Sequence, residues 1–498
     1  MLALRIKDQL LGCDCQEPIL LPGRNSARTR YCIRVPSAID TGHISARLDR
    51  LPATRTLWRR VILLSLGGFF EFYDLFFTGY IAPGLVRSGI LTATTPGLFG
   101  TTGIAGFVAA MFSGLFLGTF LFSFLADRFG RRAIFTVSLI WYTVATVTMA
   151  FQNDVFGLNL WRFLAGIGVG VELVTIDTYL SELVPKHLRG RAFAYNQTIQ
   201  FCAVPIVAFL AWMLVPIAPL GMDGWRWVAL LGAAGAVFVW WIRLEVPESP
   251  RWLAHAGRVG EAEVILADLE TRVAAEYGRP LPEPGAPDPQ APAGSLAERW
   301  GQIWQPPYRS RTIMMSIFHL FQTVGFYGFS NWVPTLLISR GVEVTRSLQY
   351  TFLIAIAAPF GPLLASKLAD TIERKWQIVY AALGIAVFGL LFGQTSAAPL
   401  LIALGVGLTV SNNILSLSCH AYQAELYPTR IRALAVGFVY SWSRLSVVAS
   451  AFLISFFLDR FGVPGVFAFI AGSMLVVMIS VGLFGPKTNN LALEAISR

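Results

Sequence analysis

The sequence predicts an all-α membrane protein with about twelve transmembrane helices in two six-helix bundles related by pseudo-twofold symmetry. Composition is the first reason: 55% of the 498 residues are hydrophobic, 14% are charged, and the mean hydropathy is +0.59. A soluble domain carries more charge than this. The second reason is that the apolar residues form long unbroken stretches, and the third is an internal repeat.

Each predicted span is an apolar stretch of about 20 residues, the length that crosses the hydrocarbon core as a helix. The first six lie roughly at 60–86, 100–125, 132–152, 158–182, 191–215 and 225–244. The second six lie roughly at 311–339, 347–367, 376–394, 399–425, 433–458 and 464–485. A β-barrel is excluded because the apolar runs are continuous rather than alternating.

Five parts of the chain follow from this division. The two bundles are expected at residues 58–244 and 311–486. Residues 1–57 form a polar, Arg-rich extension that we expect to be disordered, and residues 487–498 form a short tail. Residues 245–310 connect the bundles through a surface helix and a Pro-rich spacer.

Lys and Arg concentrate in the connections at one end of the predicted spans, as at Arg128, Lys186 and Lys375. By the positive-inside rule both termini and the central connection are cytoplasmic, which predicts a multi-pass protein of a bacterial inner membrane. This bias accounts for most of the net charge of +10, so the charge does not indicate nucleic-acid binding.

The sequence offers little support for an enzyme. It has no Gly-rich phosphate loop, no zinc-spaced histidine motif and no nucleophile elbow. Cys13 and Cys15 have no cluster of His or Cys partners, so we predict no metal site. We expect a monomer that acts on a small molecule, with protons as the coupling ion and no other cofactor.

The internal repeat comes from two loop motifs. Asp370 follows Asp127 by the same number of positions as Glu425 follows Glu182, and each pair stands in similar surroundings. Two motifs at one offset indicate duplicated halves. Two parallel six-helix halves with a site between them are typical of secondary transporters.

Three motifs resemble the major facilitator superfamily over residues 58–486: Leu125-Ala-Asp-Arg-Phe-Gly-Arg-Arg132, Arg162-Phe-Leu-Ala-Gly-Ile-Gly-Val-Gly170, and the loop from Glu182 to Gly190. The resemblance implies alternating access between two halves. It also implies a cytoplasmic gate formed by Asp127, Arg131, Arg132, Asp370, Glu182, Arg189, Glu425 and Arg432.

Further motifs resemble particular branches of that superfamily. Pro247-Glu-Ser-Pro-Arg-Trp-Leu253 resembles sugar porters, organic-ion transporters and metabolite:proton symporters. Glu71-Phe-Tyr-Asp74 and the Tyr327-Gly to Trp332-Val-Pro334 segment are more similar to metabolite:proton symporters. The resemblance therefore favours a symporter for an organic metabolite over a sugar porter.

Ionisable residues inside the spans are the candidate proton-coupling sites, because a charge at bilayer depth is costly and usually functional. These candidates are Glu71, Asp74, Glu172, Asp177 and His420. Burial and a like-charged neighbour both favour the protonated form of a carboxyl group, as a proton carrier requires. The alternative, structural hydrogen bonds between helices, remains open for each of them.

Arg444 lies near the middle of the eleventh span, where its permanent charge requires a counter-charge. The partner is either an internal acid or a substrate carboxylate, and exchange between the two is one coupling mechanism. Further candidates for the substrate site are Gln322, Gln197, Gln200, Asn412, Ser416, Tyr73, Phe326 and Trp442.

The preferred interpretation is proton-coupled uptake of a small organic metabolite, a carboxylate or an aromatic acid. Three alternatives stay open: a proton-antiport efflux carrier for hydrophobic or aromatic compounds, a sugar porter or facilitator, and a membrane sensor without transport activity.

Overall fold

The computed structural model describes residues 38–92, 95, 103–285, 296–368 and 372–488. Within these ranges it describes side chains except at positions 38–41, 120–127, 174, 236–244, 296, 297, 366–368, 424, 429, 430 and 433. The secondary structure described in these ranges is helical. We label the helices α1 to α18 in chain order.

The N-terminal half contains six spans. They are formed by α2 (Arg55–Arg87), α3 (Gly103–Phe129), α4 (Arg131–Ala150), α5 (Val155–Leu183), the consecutive helices α6 (Arg189–Phe201) and α7 (Ala203–Leu214), and α8 (Gly224–Glu245). The break between α6 and α7 falls at Cys202, and Pro205 follows it. Proline removes a backbone donor, which explains a break at this point.

The C-terminal half contains the other six. They are formed by α12 (Tyr308–Ser330) with α13 (Val333–Ile338), α14 (Val344–Ala355) with α15 (Phe360–Leu368), α16 (Arg374–Gln394), α17 (Ala398–Glu425), and α18 (Thr429–Phe484), which supplies the last two. Gly462 divides α18, because its φ of 64° lies in the left-handed region that favours glycine, and Pro464 follows it. The predicted twelve-span fold is confirmed.

The connection between the halves carries α9 (Pro250–His255), α10 (Val259–Tyr277) and α11 (Leu296–Ile303). Helix α10 buries Ala262, Leu266, Leu269 and Val273, the apolar face that the sequence indicates. It packs against α1 (Ala38–Asp49) and the nearby end of α2.

Helix α1 lies at 38–49, within the range 1–57 that we expected to be disordered. Arg47 donates to Glu270 at 2.6 Å, Arg50 donates to the same carboxylate at 2.7 Å, and Arg251 donates to Asp49 at 2.6 Å. These partners are far away in sequence, so the pattern of α1 alone does not reveal them. Residues 1–37 lie outside the described part of the chain.

Small residues bring α3 and α5 together inside the first half. A Cβ atom on Gly166 would lie 2.2 Å from the carbonyl oxygen of Met111, and one on Gly170 would lie 2.3 Å from that of Leu115. Glycine permits this backbone approach in membrane helices. The glycine motif of α5 therefore packs helices together.

Several helices of the two halves contact each other, and one region of contact lies at one end of the bundle. We call this the distal end; it carries the turns at Gly221 and Gly341, and the opposite "basic end" carries Arg131 and Arg374. At the distal end the rings of Trp212 and Phe352 stack with centroids 5.7 Å apart. Deeper in the bundle, Phe76, Phe201 and Phe326 pack with centroids 6.2 to 6.4 Å apart and close the space between the halves.

Gly79 provides a test of this distal contact. A Cβ at this position would lie 2.2 Å from the Asn331 carbonyl oxygen of the other half, so the backbone must shift. We expect Gly79→Ala to weaken packing between the halves by about 1–3 kcal/mol and to increase labelling of distal cysteines introduced into the inter-half contact. Gly472→Ala is the matched control, because nothing lies within 4 Å of its Cβ position. Equal labelling of both variants would contradict the prediction.

Candidate functional site

A cavity of about 830 Å³, including the space at its mouth, lies between the halves on the basic side of the aromatic layer. Both halves contribute to its wall. The lining residues are Phe72, Leu75, Leu173, Asp177, Gln197, Gln200, Phe201, His319, Gln322, Thr323, Phe326, Tyr327, Ser416, Cys419, His420, Tyr440, Ser443 and Arg444. Most of the candidate substrate residues named from the sequence are therefore brought together.

Arg444 supplies a buried cation in the wall of this cavity. Its guanidinium donates to the Tyr440 hydroxyl at 3.1 Å and stands 4.9 Å from the centre of that ring. Its Nε has no hydrogen-bond partner among the described residues. The ion pairs that the structure describes do not include Arg444, so the charge lacks a direct carboxylate partner there.

Asp177 faces the same space from the N-terminal half. Its side chain is exposed to the cavity, and it interacts electrostatically with Arg444 of the other half. Helix α5 ends six residues later, at Leu183, which places Asp177 toward the basic end. A carboxylate and a guanidinium thus face each other across the boundary between the halves.

Amides and hydroxyls occupy much of the remaining wall. Gln197 and Gln200 come from α6, Gln322 from α12 and Ser416 from α17. Phe72, Phe201 and Phe326 form an apolar surface beside them. A few polar groups on an aromatic wall are what a small-molecule site requires.

Three candidates lie elsewhere. The Tyr73 hydroxyl donates to the Val228 carbonyl at 2.8 Å, so its ring lies between α2 and α8. Trp442 packs on Phe438, and Asn412 is 1% exposed and does not line the cavity. Asn412 was predicted from helical spacing, and Tyr73 and Trp442 were predicted as rings that could stack on a substrate. Neither criterion specifies the rotation of a helix about its axis.

Asp74 belongs to a buried ion pair inside the first half. Arg162 of α5 donates to its carboxylate at 3.0 Å, and Thr146 of α4 donates to the other oxygen at 2.8 Å. Arg162 also bonds the Thr78 hydroxyl and lies over the ring of Phe77. Asp74 therefore joins three helices. Arg162 stands at the start of the glycine motif of α5, but the sequence pattern does not reveal it as the partner of Asp74.

Glu71 and Glu172 differ from Asp74 in having no such partners. Both are fully buried, and their four carboxylate oxygens have no hydrogen-bond partner among the described residues. They interact electrostatically with each other, and Glu71 also interacts electrostatically with Asp177 and Arg444. An ionised carboxylate is costly in such a position, so a protonated form is favoured for at least one of them.

His319, Gln423, Tyr327 and Tyr440 are functional candidates that the sequence analysis missed. The two tyrosines and His319 line the cavity, and Gln423 bonds both His319 and His420. A signal was present, because His319, Gln322 and Phe326 follow each other at helical spacing of three and four.

The predicted gate residues that the structure describes lie at the basic end. Arg131 pairs with Glu182 at 2.9 Å and Arg374 pairs with Glu425 at 2.7 Å, each within one half. Arg432 donates to the Tyr427 carbonyl at 3.1 Å. The backbone N–H of Arg132 donates a hydrogen bond to the Glu248 carboxylate. Arg189 interacts electrostatically with Glu182. The side chains of Asp127 and Asp370 fall outside the described residues.

Glu248, the second residue of the Pro247–Leu253 motif, is a further residue of this end that was not predicted as a gate residue. Its carboxylate accepts from the backbone N–H groups of Arg131 and Arg132 at 3.2 Å and of Ser249 at 2.9 Å. A carboxylate at the start of α4 is favoured by the helix dipole. Burial raises the pKa of this carboxyl group, and the backbone donors oppose that effect.

Comparisons with known proteins agree with this architecture. The chain matches the family described as "Sugar (and other) transporter" over residues 61–498. It is 34% identical over 444 residues to YyaJ of Bacillus subtilis, which is named for metabolite transport, covering 89% of this chain and 95% of that one. It is 26% identical over 453 residues to the niacin transporter NiaP of Acinetobacter baylyi, covering 91% and 99%.

A solved structure shares the fold. The xylose transporter XylE of E. coli, in a partially occluded inward open conformation, superposes with a TM-score of 0.69 at 20% identity, covering 88% of this chain and 100% of that one. This likeness supports the fold of two six-helix halves. The chain therefore belongs to the sugar and other transporter family of the major facilitator superfamily, and it is a multi-pass membrane transporter rather than an enzyme.

Proposed function

We propose that this protein is a proton-coupled symporter that takes up a small organic carboxylate, with an aromatic acid as the preferred substrate. The observation that carries the proposal is the Arg444 guanidinium, which is fixed in the cavity wall without a carboxylate partner among the described residues. A guanidinium is always charged in proteins and binds carboxylates through two parallel hydrogen bonds. An anionic substrate would supply the missing counter-charge.

The aromatic wall favours a planar substrate. Phe72, Phe201, Phe326 and Tyr327 all face the cavity, and the Phe326 and Tyr327 rings lie edge to face with centroids 4.9 Å apart. Aromatic rings pack favourably against each other in edge-to-face or offset-stacked arrangements, so an aromatic substrate can pack on these rings. The relative NiaP adds support, because niacin is a pyridine carboxylate.

Coupling to protons follows from the acids that face Arg444. In the empty carrier, ionised Asp177 attracts the guanidinium across the cavity, and ionised Glu71, which is buried and does not line the cavity, attracts it from within the N-terminal half. Protonation removes that attraction, and the guanidinium becomes available to the substrate carboxylate. Proton and substrate then bind together, which is the requirement for symport.

Asp74 is less suited to carry the proton, because Arg162 and Thr146 already stabilise its charged form. Neither Glu71 nor Glu172 lines the cavity, and both lack hydrogen-bond partners among the described residues. Glu71 interacts electrostatically with Asp177 and Arg444, whereas Glu172 interacts with Glu71 and Asp74, so a proton would reach Glu172 through Glu71. We assign the coupling role to Glu71 and Asp177 and a supporting role to Glu172 and His420.

The arrangement of the halves corresponds to one stage of the transport cycle. The halves are packed at the distal end, and the cavity lies toward the basic end. We propose that the basic end is cytoplasmic, as the positive-inside rule predicts, and that the arrangement is then an inward-facing state. We also propose that the protein acts as a monomer in a bacterial inner membrane.

Uptake into proteoliposomes tests the proposal. The panel contains labelled benzoate, nicotinate, a short aliphatic carboxylate, xylose and an aromatic amine, each with and without an inward proton gradient. We expect gradient-driven accumulation of an aromatic carboxylate. Uptake of xylose without dependence on the gradient would instead identify a sugar facilitator, and amine release driven by inward protons would identify an efflux carrier.

The coupling role of Asp177 gives a specific prediction. Asp177→Asn cannot release a proton, so we expect the gradient to accelerate substrate uptake by less than about twofold, whereas exchange of substrate at equal pH continues. Glu71→Gln is expected to act in the same direction. Asp223→Asn is the matched control, because its side chain pairs with Arg226 at the distal end, outside the cavity. A normal gradient response in both variants would exclude these two acids.

A further inference from the structure

The side chain of Gln200, which lines the cavity from α6, lies against the backbone of α2 at Gly68. A Cβ atom on Gly68 would lie 2.3 Å from the Gln200 amide nitrogen, 2.9 Å from its Cγ and 3.0 Å from its Cδ. Non-bonded atoms do not approach so closely, and glycine permits the contact because it has no side chain. Gly68 therefore makes room for Gln200 behind the cavity wall.

The helix itself does not require glycine at this position. Gly68 lies inside α2 with an ordinary helical backbone, where glycine is less favourable than alanine. The neighbouring Gly67 makes a different contact, because a Cβ there would lie 2.4 Å from Cζ of Phe135 in α4. The two glycines serve different faces of α2, and Gly68 is the one that faces a side chain of the cavity wall.

Gln200 lies beside the aromatic part of that wall. The Phe72 and Phe201 rings, which also line the cavity, have centroids 5.2 Å apart. Gln200 is 6% exposed, and because protein interiors are closely packed, the free space next to its amide is the cavity. A methyl group added at Gly68 would therefore displace the amide toward the space that a substrate occupies.

We propose that Gly68 determines the size of the substrate, because it lets the Gln200 side chain lie outside the space that the substrate needs. This rests on the proposed function, in which Arg444 binds the substrate carboxylate. Gln200 belongs to the N-terminal half and Arg444 to the C-terminal half, so the space between them limits the length of the molecule. Gly68 then favours carboxylates that carry a ring over short aliphatic carboxylates.

A role of Gly68 in helix packing alone predicts a different result. Overpacking between helix backbones lowers stability whichever ligand is present. The three atoms nearest to the Cβ position of Gly68 all belong to the flexible side chain of Gln200, and none of them is a backbone atom. A substitution at Gly68 is therefore expected to alter the cavity more than the fold.

Binding of carboxylates of different sizes tests the proposal. The affinities of the purified protein for propanoate, benzoate and 2-naphthoate are obtained from the rise of its unfolding temperature with ligand concentration. For Gly68→Ala we expect the affinity for benzoate to fall at least about tenfold and that for propanoate to fall less than about twofold. Gly67→Ala is the matched control, expected to lower the unfolding temperature of the empty protein and to leave the ratio of the two affinities unchanged.

The double variant Gly68→Ala with Gln200→Ala identifies the group that is displaced. Without the glutamine side chain the added methyl group displaces nothing, so the double variant is expected to bind benzoate within about twofold of Gln200→Ala alone. Gln200→Ala by itself leaves free space beside Gly68. It is expected to raise the affinity for 2-naphthoate relative to benzoate at least about fivefold.

An unchanged ratio of benzoate to propanoate affinity in Gly68→Ala would overturn the role of Gly68 and leave the carboxylate site intact. An equal loss of benzoate affinity in the Gln200→Ala background would also overturn it. If Gly68→Ala does not fold, Gln200→Ala decides, because an unchanged preference between 2-naphthoate and benzoate contradicts the proposal. Absence of binding to the unsubstituted protein across the whole panel would overturn the proposed function itself.

Discussion

Arg444→Gln is expected to lower uptake of an organic anion at limiting substrate concentration by at least about 100-fold. Removing one partner of a buried charge pair costs about 2–5 kcal/mol, and 2.7 kcal/mol corresponds to about a hundredfold change. Arg444 has no ion pair with a carboxylate among the described residues, so the loss falls on substrate binding rather than on the fold. Initial rates in proteoliposomes measure the effect.

Two further variants separate charge from packing. Arg444→Lys keeps the charge but loses the two parallel donors, so an intermediate loss is expected. Arg340→Gln removes another partly buried arginine of the same half, whose guanidinium donates to the Phe392 carbonyl at 3.0 Å and the Thr395 carbonyl at 2.7 Å, away from the cavity. That control is expected to lower stability and to leave substrate selectivity unchanged. Full anion uptake by Arg444→Gln would remove this residue from the site.

Asp74→Asn is expected to destabilise the folded protein by about 3–5 kcal/mol, because it leaves the buried Arg162 cation without its counter-charge. Arg162 is fully buried and cannot reach water to compensate. Arg162→Gln leaves Asp74 unpaired in the same way, although protonation of the aspartate lessens that cost. Thermal unfolding of the detergent-solubilised protein, followed by tryptophan fluorescence, measures the loss.

The double variant Asp74→Asn with Arg162→Gln tests whether the pair acts as a unit. Replacing both charges removes the uncompensated ion, so the double variant is expected to be more stable than Asp74→Asn alone. Additive losses would contradict the assignment of a mutually stabilising pair. A normal unfolding temperature in Asp74→Asn would instead indicate that Asp74 is already protonated in the folded protein.

Glu71 and Asp74 illustrate how far sequence patterns lead. Both are acids on one helix, three positions apart, and both were predicted as proton carriers. In the structure Asp74 meets Arg162 and Thr146, whereas Glu71 has no hydrogen-bond partner among the described residues. The sequence does not distinguish them, because the two partners of Asp74 lie on other helices, tens of residues away along the chain.

Arg444 shows the converse case. Its position near the middle of an apolar span already required a buried counter-charge, and that reasoning needs no neighbours. Only the folded protein shows that Tyr440 bonds it and that Asp177 faces it from the opposite half. Side chains from α5 and α18 meet there through packing between duplicated halves.

Hydropathy, the bias of basic residues and the repeated loop motifs suffice to predict the membrane class, the twelve spans and the division into halves. These properties are sums over many residues, so they tolerate an error of one position. A prediction of the residues that line the cavity does not tolerate such an error. A helix turns by about 100° per residue, so a shift of one position directs a side chain to a different neighbour. Tyr73 next to the cavity residue Phe72, and the hydrogen bonds that link His319, Gln423 and His420, were therefore decided by the packing of the helices.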